Sequence, residues 1–113
     1  MKTKLMLGTL CASLSLAAGA SAQSLTNLQQ QAYDAGWDAA HEFCKSLDTS
    51  AGAGMLAMRM RAMGATTITE EFKEYCGNGY DKYIDNNESC AQKIENATNG
   101  YTRMWEARRN ACR

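Results

Sequence analysis

Residues 25–47, LTNLQQQAYDAGWDAAHEFCKSL, decide the fold class. Leu25, Leu28, Ala32, Gly36, Ala39, Phe43 and Leu47 recur at steps of three and four, the spacing that gathers side chains on one face of a helix. Tyr33, Trp37, Ala40 and Cys44 form a second row beside them, which widens the apolar face. Ser24 and Thr26 are both suited to cap the start, because their hydroxyls accept from the free amides of a first turn. The chain has no proline, so nothing of that kind interrupts a long helix.

The same spacing recurs twice further on. Thr67-Ile68-Thr69-Glu70 fits a capping box, with the Thr67 hydroxyl and the Glu70 carboxylate each satisfying a free amide. The helix it opens carries Ile68, Phe72, Tyr75, Cys76, Gly79, Tyr80 and Tyr83 on its buried stripe. Gly77-Asn78-Gly79 weakens it without ending it, and Asn86-Asn87 closes it. A third helix is expected from about Glu88 to Ala111, with Cys90, Ile94, Ala97, Tyr101, Met104, Trp105 and Arg108 as its stripe. The expected fold is all-α: a small three-helix bundle, or four helices if the Met-rich segment 55–63 forms a short one. Each long helix carries a glycine followed by an aromatic: Gly36-Trp37, Gly79-Tyr80 and Gly100-Tyr101. Such a pair suits a close helix approach at the glycine, with the ring covering the gap.

Upstream of the first helix, Lys2 and Lys4 precede an apolar run from Leu5 to Ala18, and Ala20-Ser21-Ala22 then offers small residues. This is the pattern of a secretory signal cleaved before Gln23. The expected organisation is a signal peptide over 1–22 and a single disulfide-stabilised helical domain over 23–113. The expected location is the periplasm or the exterior.

Cys11 leaves with the signal. Cys44, Cys76, Cys90 and Cys112 remain, an even number that suggests two disulfides in an exported domain too small to be held securely by its core alone. No CxxC occurs, so neither a redox motif nor a paired zinc motif is present. In an up-down-up bundle the ends of the first and third helices share a pole. That geometry favours Cys44–Cys112 with Cys76–Cys90, and Cys44–Cys76 with Cys90–Cys112 is the runner-up. Cys44–Cys90 would join opposite poles.

Charge excludes other roles. Without Lys2 and Lys4 the twelve basic residues fall to ten against twelve acidic ones, a net charge of about −2. A nucleic-acid binder shows a basic excess or stripe, so none is expected as a partner. Arg103, Arg108, Arg109 and Arg113 suit a solvated helix end that complements the helix dipole. His41, flanked by Asp38 and Glu42, is the only histidine and has no nucleophile beside it in sequence. No GxSxG elbow or calcium-loop pattern occurs. No enzymatic activity and no cofactor are expected.

Met55, Met58, Met60 and Met63 crowd one short segment with Arg59 and Arg61. Thioethers are soft ligands for Cu(I), so a copper site on these four methionines is one alternative, although two arginines inside the cluster repel a cation. Flexible, polarizable methionines also line adaptable protein-binding surfaces, and the two arginines would let the segment touch a membrane peripherally. The expected contact surface combines Met55–Met63 with the aromatics Tyr33, Tyr83 and Tyr101.

The order Cys76, Gly79-Tyr80, Cys90, Cys112 resembles that of small helical periplasmic immunity proteins of type VI secretion systems. Those carry a cysteine just before a Gly-Tyr and two later cysteines beside prolines. Here the prolines are absent, the spacings differ, and the resemblance covers a small part of the chain. The expected function is that of a non-enzymatic exported protein that binds an envelope protein. An inhibitor, an immunity protein or a secretion or conjugation accessory factor would fit. A Cu(I)-binding or membrane-active protein using Met55–Met63 is the alternative.

Overall fold

The computed structural model describes residues 25–113, and the expected signal segment lies outside them. Five helices and no strand occur among the described residues: α1 (Asn27–Ser46), α2 (Met55–Ala62), α3 (Glu70–Asp85), α4 (Glu88–Asn96) and α5 (Gly100–Ala111). The all-α expectation holds, and the Met-rich segment does form a short helix.

Local chemistry sets the ends. Thr26 caps α1 in a reciprocal box: its hydroxyl accepts from the Gln29 amide at 3.1 Å, and the Gln29 side chain accepts from the Thr26 amide at 3.0 Å. The second long helix is capped by Thr69 and not by Thr67. The Thr69 hydroxyl accepts from the Phe72 amide at 3.1 Å, which leaves Glu70 and Glu71 in the first turn, where negative charge suits the dipole. α3 then runs unbroken through Gly77-Asn78-Gly79. The Asn87 side chain accepts from the Cys90 amide at 2.9 Å and opens α4.

The expected third helix is two helices. It breaks at Ala97–Asn99, where Asn99 takes the left-handed conformation at φ 55°, one that asparagine tolerates better than most residues. Gly100 follows so close to the end of α4 that a Cβ there would lie 1.8 Å from the Ile94 carbonyl oxygen. The chain therefore turns tightly between α4 and α5.

The largest departure from an up-down-up bundle is the direction of α3. The Gln29 amide nitrogen of the side chain lies 2.6 Å from Glu71, Gly36 packs on Cys76 and Tyr80, and Trp37 meets Tyr83 edge-on at 5.2 Å. Early residues face early residues, so α1 and α3 run parallel. The return is made by α2, which lies antiparallel on α1, with Gly52 against Ala39 and Arg59 bonded to Gln31 and Asp38. α5 runs antiparallel to α3: Cys76 is bonded to Cys112, Tyr80 meets Met104, and Ile84 and Asp85 lie beside Tyr101.

This topology corrects the disulfides. The bridges are Cys44–Cys90, with Cα atoms 5.4 Å apart, and Cys76–Cys112, at 5.6 Å. Because α2 carries the chain back, the end of α1 and the start of α4 share a pole, and Cys44 reaches Cys90. Because α4 and α5 are separate, Cys112 returns to the middle of α3. The favoured pairing assumed a straight third helix and an antiparallel second one, and the runner-up, Cys44–Cys76 with Cys90–Cys112, is not formed either.

The core is narrow. Ala32, Ala35, Ala39 and Ala40 of α1 are fully buried with Phe43, Leu56, Met60, Cys76 and Tyr80. α1 and α3 touch backbone to backbone. A Cβ on Gly36 would sit 1.7 Å from the Cys76 carbonyl oxygen, and one on Gly79 would sit 2.0 Å from that of Tyr33. Two of the three glycine–aromatic pairs thus mark one reciprocal crossing.

Candidate functional site

The Met-rich segment is split by its own helix. Met60 is fully buried beside Leu56 and Met55 packs partly against the core, while Met58 and Met63 are 55% and 41% exposed. The four sulfurs thus have different surroundings, core on one side and solvent on the other. Arg59 is drawn back onto α1 by Asp38 and Gln31, and Arg61 is exposed. The arginine pair is therefore divided as well.

Two of the aromatics expected on a contact surface are half-buried. Tyr33, Trp37 and Tyr83 form a cluster along α1 and α3, and His41 stacks edge-on against Tyr83 at 5.6 Å. Burial, with the nearby Asp34 charge as a lesser cause, raises the Tyr33 hydroxyl above the ordinary tyrosine range. His41 also lines a shallow hollow with Lys45, Lys93 and the Cys44–Cys90 bridge. Both cysteines there are oxidised and so are unavailable as thiolates.

The exposed aromatics lie on α5. Tyr101 is 56% and Trp105 51% exposed, one helical turn apart. α5 turns Gly100, Met104, Ala107 and Ala111 inward. That leaves Tyr101 and Trp105 on its flank, contrary to the stripe expected from a continuous helix. Arg108 fixes the platform. Its guanidinium donates to both Asp81 carboxylate oxygens, at 2.8 and 3.0 Å, and lies 5.1 Å from the Trp105 ring centre. It occupies the space that Gly77 leaves open, since a Cβ on Gly77 would come within 2.4 Å of it. Beneath, the buried Tyr80 hydroxyl donates to the Met104 carbonyl at 3.2 Å, and burial pushes its proton affinity well above the usual range. Cys76–Cys112 ties the end of α5 to the middle of α3.

Trp105 separates two hollows. One is lined by Asp81, Ile84, Asp85, Ala91, Tyr101 and Met104. The other carries Lys73, Arg108, Arg109 and Arg113. The arrangement suits recognition: an exposed indole with a fixed guanidinium on its face, acidic groups on one side and basic groups on the other. Among the described residues no cluster of three His, Cys, Asp or Glu side chains is placed to hold a metal, and no helix is long and apolar enough to cross a membrane.

Sequence periodicity missed Trp105 as a surface residue and the bond of Arg108 to Asp81. The available signal was the run Gly100, Met104, Ala107, Ala111, a small-residue face with its own phase. Compared with protein-family models, curated proteins and solved structures, the chain matches none.

Proposed function

We propose that this is a non-enzymatic helical protein of the bacterial envelope that binds another protein, as an inhibitor, an immunity protein or a secretion accessory factor does. One observation carries the reading: Tyr101 and Trp105 stand exposed on a helix that a disulfide, an ion pair and a buried tyrosine hold in place. Large aromatics held rigidly at the surface lose little entropy on contact and dominate the energetics of protein interfaces. Two disulfides fit an oxidising compartment, and the leader-like residues 1–22 agree with export to the periplasm.

The test is affinity retention from envelope extract on immobilised protein, run in parallel with the Tyr101→Ala/Trp105→Ala variant. A partner retained by the wild type and lost with the variant is the expected result. Equal retention by both would remove α5 as the contact surface, and no retained protein from any envelope fraction would end the reading.

A further inference from the structure

Lys73, Trp105, Arg108, Arg109, Cys112 and Arg113 line one cleft between the first turn of α3 and the last turns of α5. No acidic side chain is among them. Lys73 leans on Glu70 at 3.1 Å, and Arg108 is held by Asp81. Arg109 and Arg113 are exposed and make no ion pair among the described residues. Residues 25–113 carry more acidic than basic groups, so positive charge is concentrated here against an opposing background. A local field of one sign on a surface of the other steers a complementary partner to that spot. The guanidiniums offer planar forks that match a carboxylate, and the Trp105 face beside them offers an apolar platform.

We propose that this cleft docks an acidic segment of the partner protein, with a Glu or Asp carboxylate on Arg109 and Arg113 and a hydrophobic side chain on Trp105. The proposal rests on the protein-binding function above and names its partner's chemistry. An anionic membrane fits less well. A lipid surface is broad and would also cover the hollow across Trp105, where Asp81 and Asp85 lie, as well as the exposed Glu106. A narrow acidic segment covers the basic side alone.

The test follows the indole N–H signals of Trp37 and Trp105 in isotope-labelled full-length protein. The probes are a soluble Glu-rich peptide carrying one Leu, its Lys-for-Glu counterpart, and phosphatidylglycerol vesicles. The Glu peptide is expected to shift the Trp105 signal saturably and leave Trp37 in place. Arg109→Glu/Arg113→Glu is expected to weaken that binding about tenfold or more, with Trp37 again reporting an intact fold. No shift with the Glu peptide, an equal shift with the Lys peptide, or unchanged affinity in the double variant would each overturn the proposal. A response to vesicles alone would reassign the cleft to lipid. If Arg109→Glu/Arg113→Glu keeps an envelope partner that Tyr101→Ala/Trp105→Ala loses, the acidic-segment proposal fails and the protein-binding function stands.

Discussion

The two faces of α3 are built on opposite plans. Toward α1 it presents Cys76, Gly79 and Tyr80, and the backbones meet at Gly36 and Gly79 with no room for a methyl group. Toward α5 it presents Gly77 and Asp81, and the gap is filled by the long Arg108 side chain. Small residues make the first contact rigid, because any enlargement pushes backbone against backbone. The second contact is made by side chains, Arg108 on Asp81, Tyr80 on Met104 and the Cys76–Cys112 bridge, and it leaves open hollows on either side of Trp105. The same helix thus serves as a fixed spine on one side and as the support of an exposed aromatic surface on the other.

Substitutions on each face break or sharpen that contrast. Gly36→Val is expected to be the most damaging, costing about 3 kcal/mol or more in urea unfolding, because the helices must part. Replacing both Cys76 and Cys112 by Ala should cost about 2–4 kcal/mol. Hydrogen exchange should then rise in α5 and stay low along α1 and α3. Equal exchange in all three helices would mean that the two faces are not independent. Tyr80→Phe removes the bond to Met104 and should cost about 1 kcal/mol at neutral pH.

The same variant has a pH signature. The folded state holds the Tyr80 proton more tightly than the unfolded chain, whose ordinary value is 10.0. This contribution to stability is therefore full below pH 10 and is lost as pH rises through the folded value. Tyr80→Phe should show a shallower alkaline loss, read from unfolding midpoints across alkaline pH.

Gly77→Ala should cost less than about 1 kcal/mol, since only the far end of Arg108 must move, yet it should shift Trp105 fluorescence by displacing its stacked cation. Trp105→Ala should change stability by no more than about 0.5 kcal/mol. A larger loss would place the indole in the core and count against a recognition surface.

Helix type, the Thr26 cap, the existence of two bridges and the close approach at Gly36 and Gly79 were legible in the sequence, because each follows from neighbours a few positions apart. Direction was not. The sequence allows a short helix over residues 55–63, and only the packing of α2 on α1, with Gly52 against Ala39 and Arg59 on Gln31, shows that the segment returns the chain. No proline or glycine pair marks the break at residues 97–99, where a single left-handed asparagine suffices. That break shifts the helical phase, which is why Trp105 falls on the buried stripe of a continuous helix, whereas the exposure expected of Tyr101 as a contact residue is met. The cleft depends on Lys73 and Arg109 coming together from α3 and α5, a relation that periodicity within one helix cannot contain.

The order of the bridges along the chain has a consequence for biosynthesis. Cys44–Cys90 and Cys76–Cys112 interlace, with separations of 46 and 36 residues. The incorrect links Cys76–Cys90, Cys90–Cys112 and Cys44–Cys76 all span less chain than either of them. Shorter loops close at lower entropic cost, so oxidation of the extended, reduced chain is expected to favour the wrong isomers first. Correct molecules then arise by thiolate attack on those bonds, so oxidative refolding of the reduced chain should gain more from a thiol–disulfide shuffling catalyst than from added oxidant.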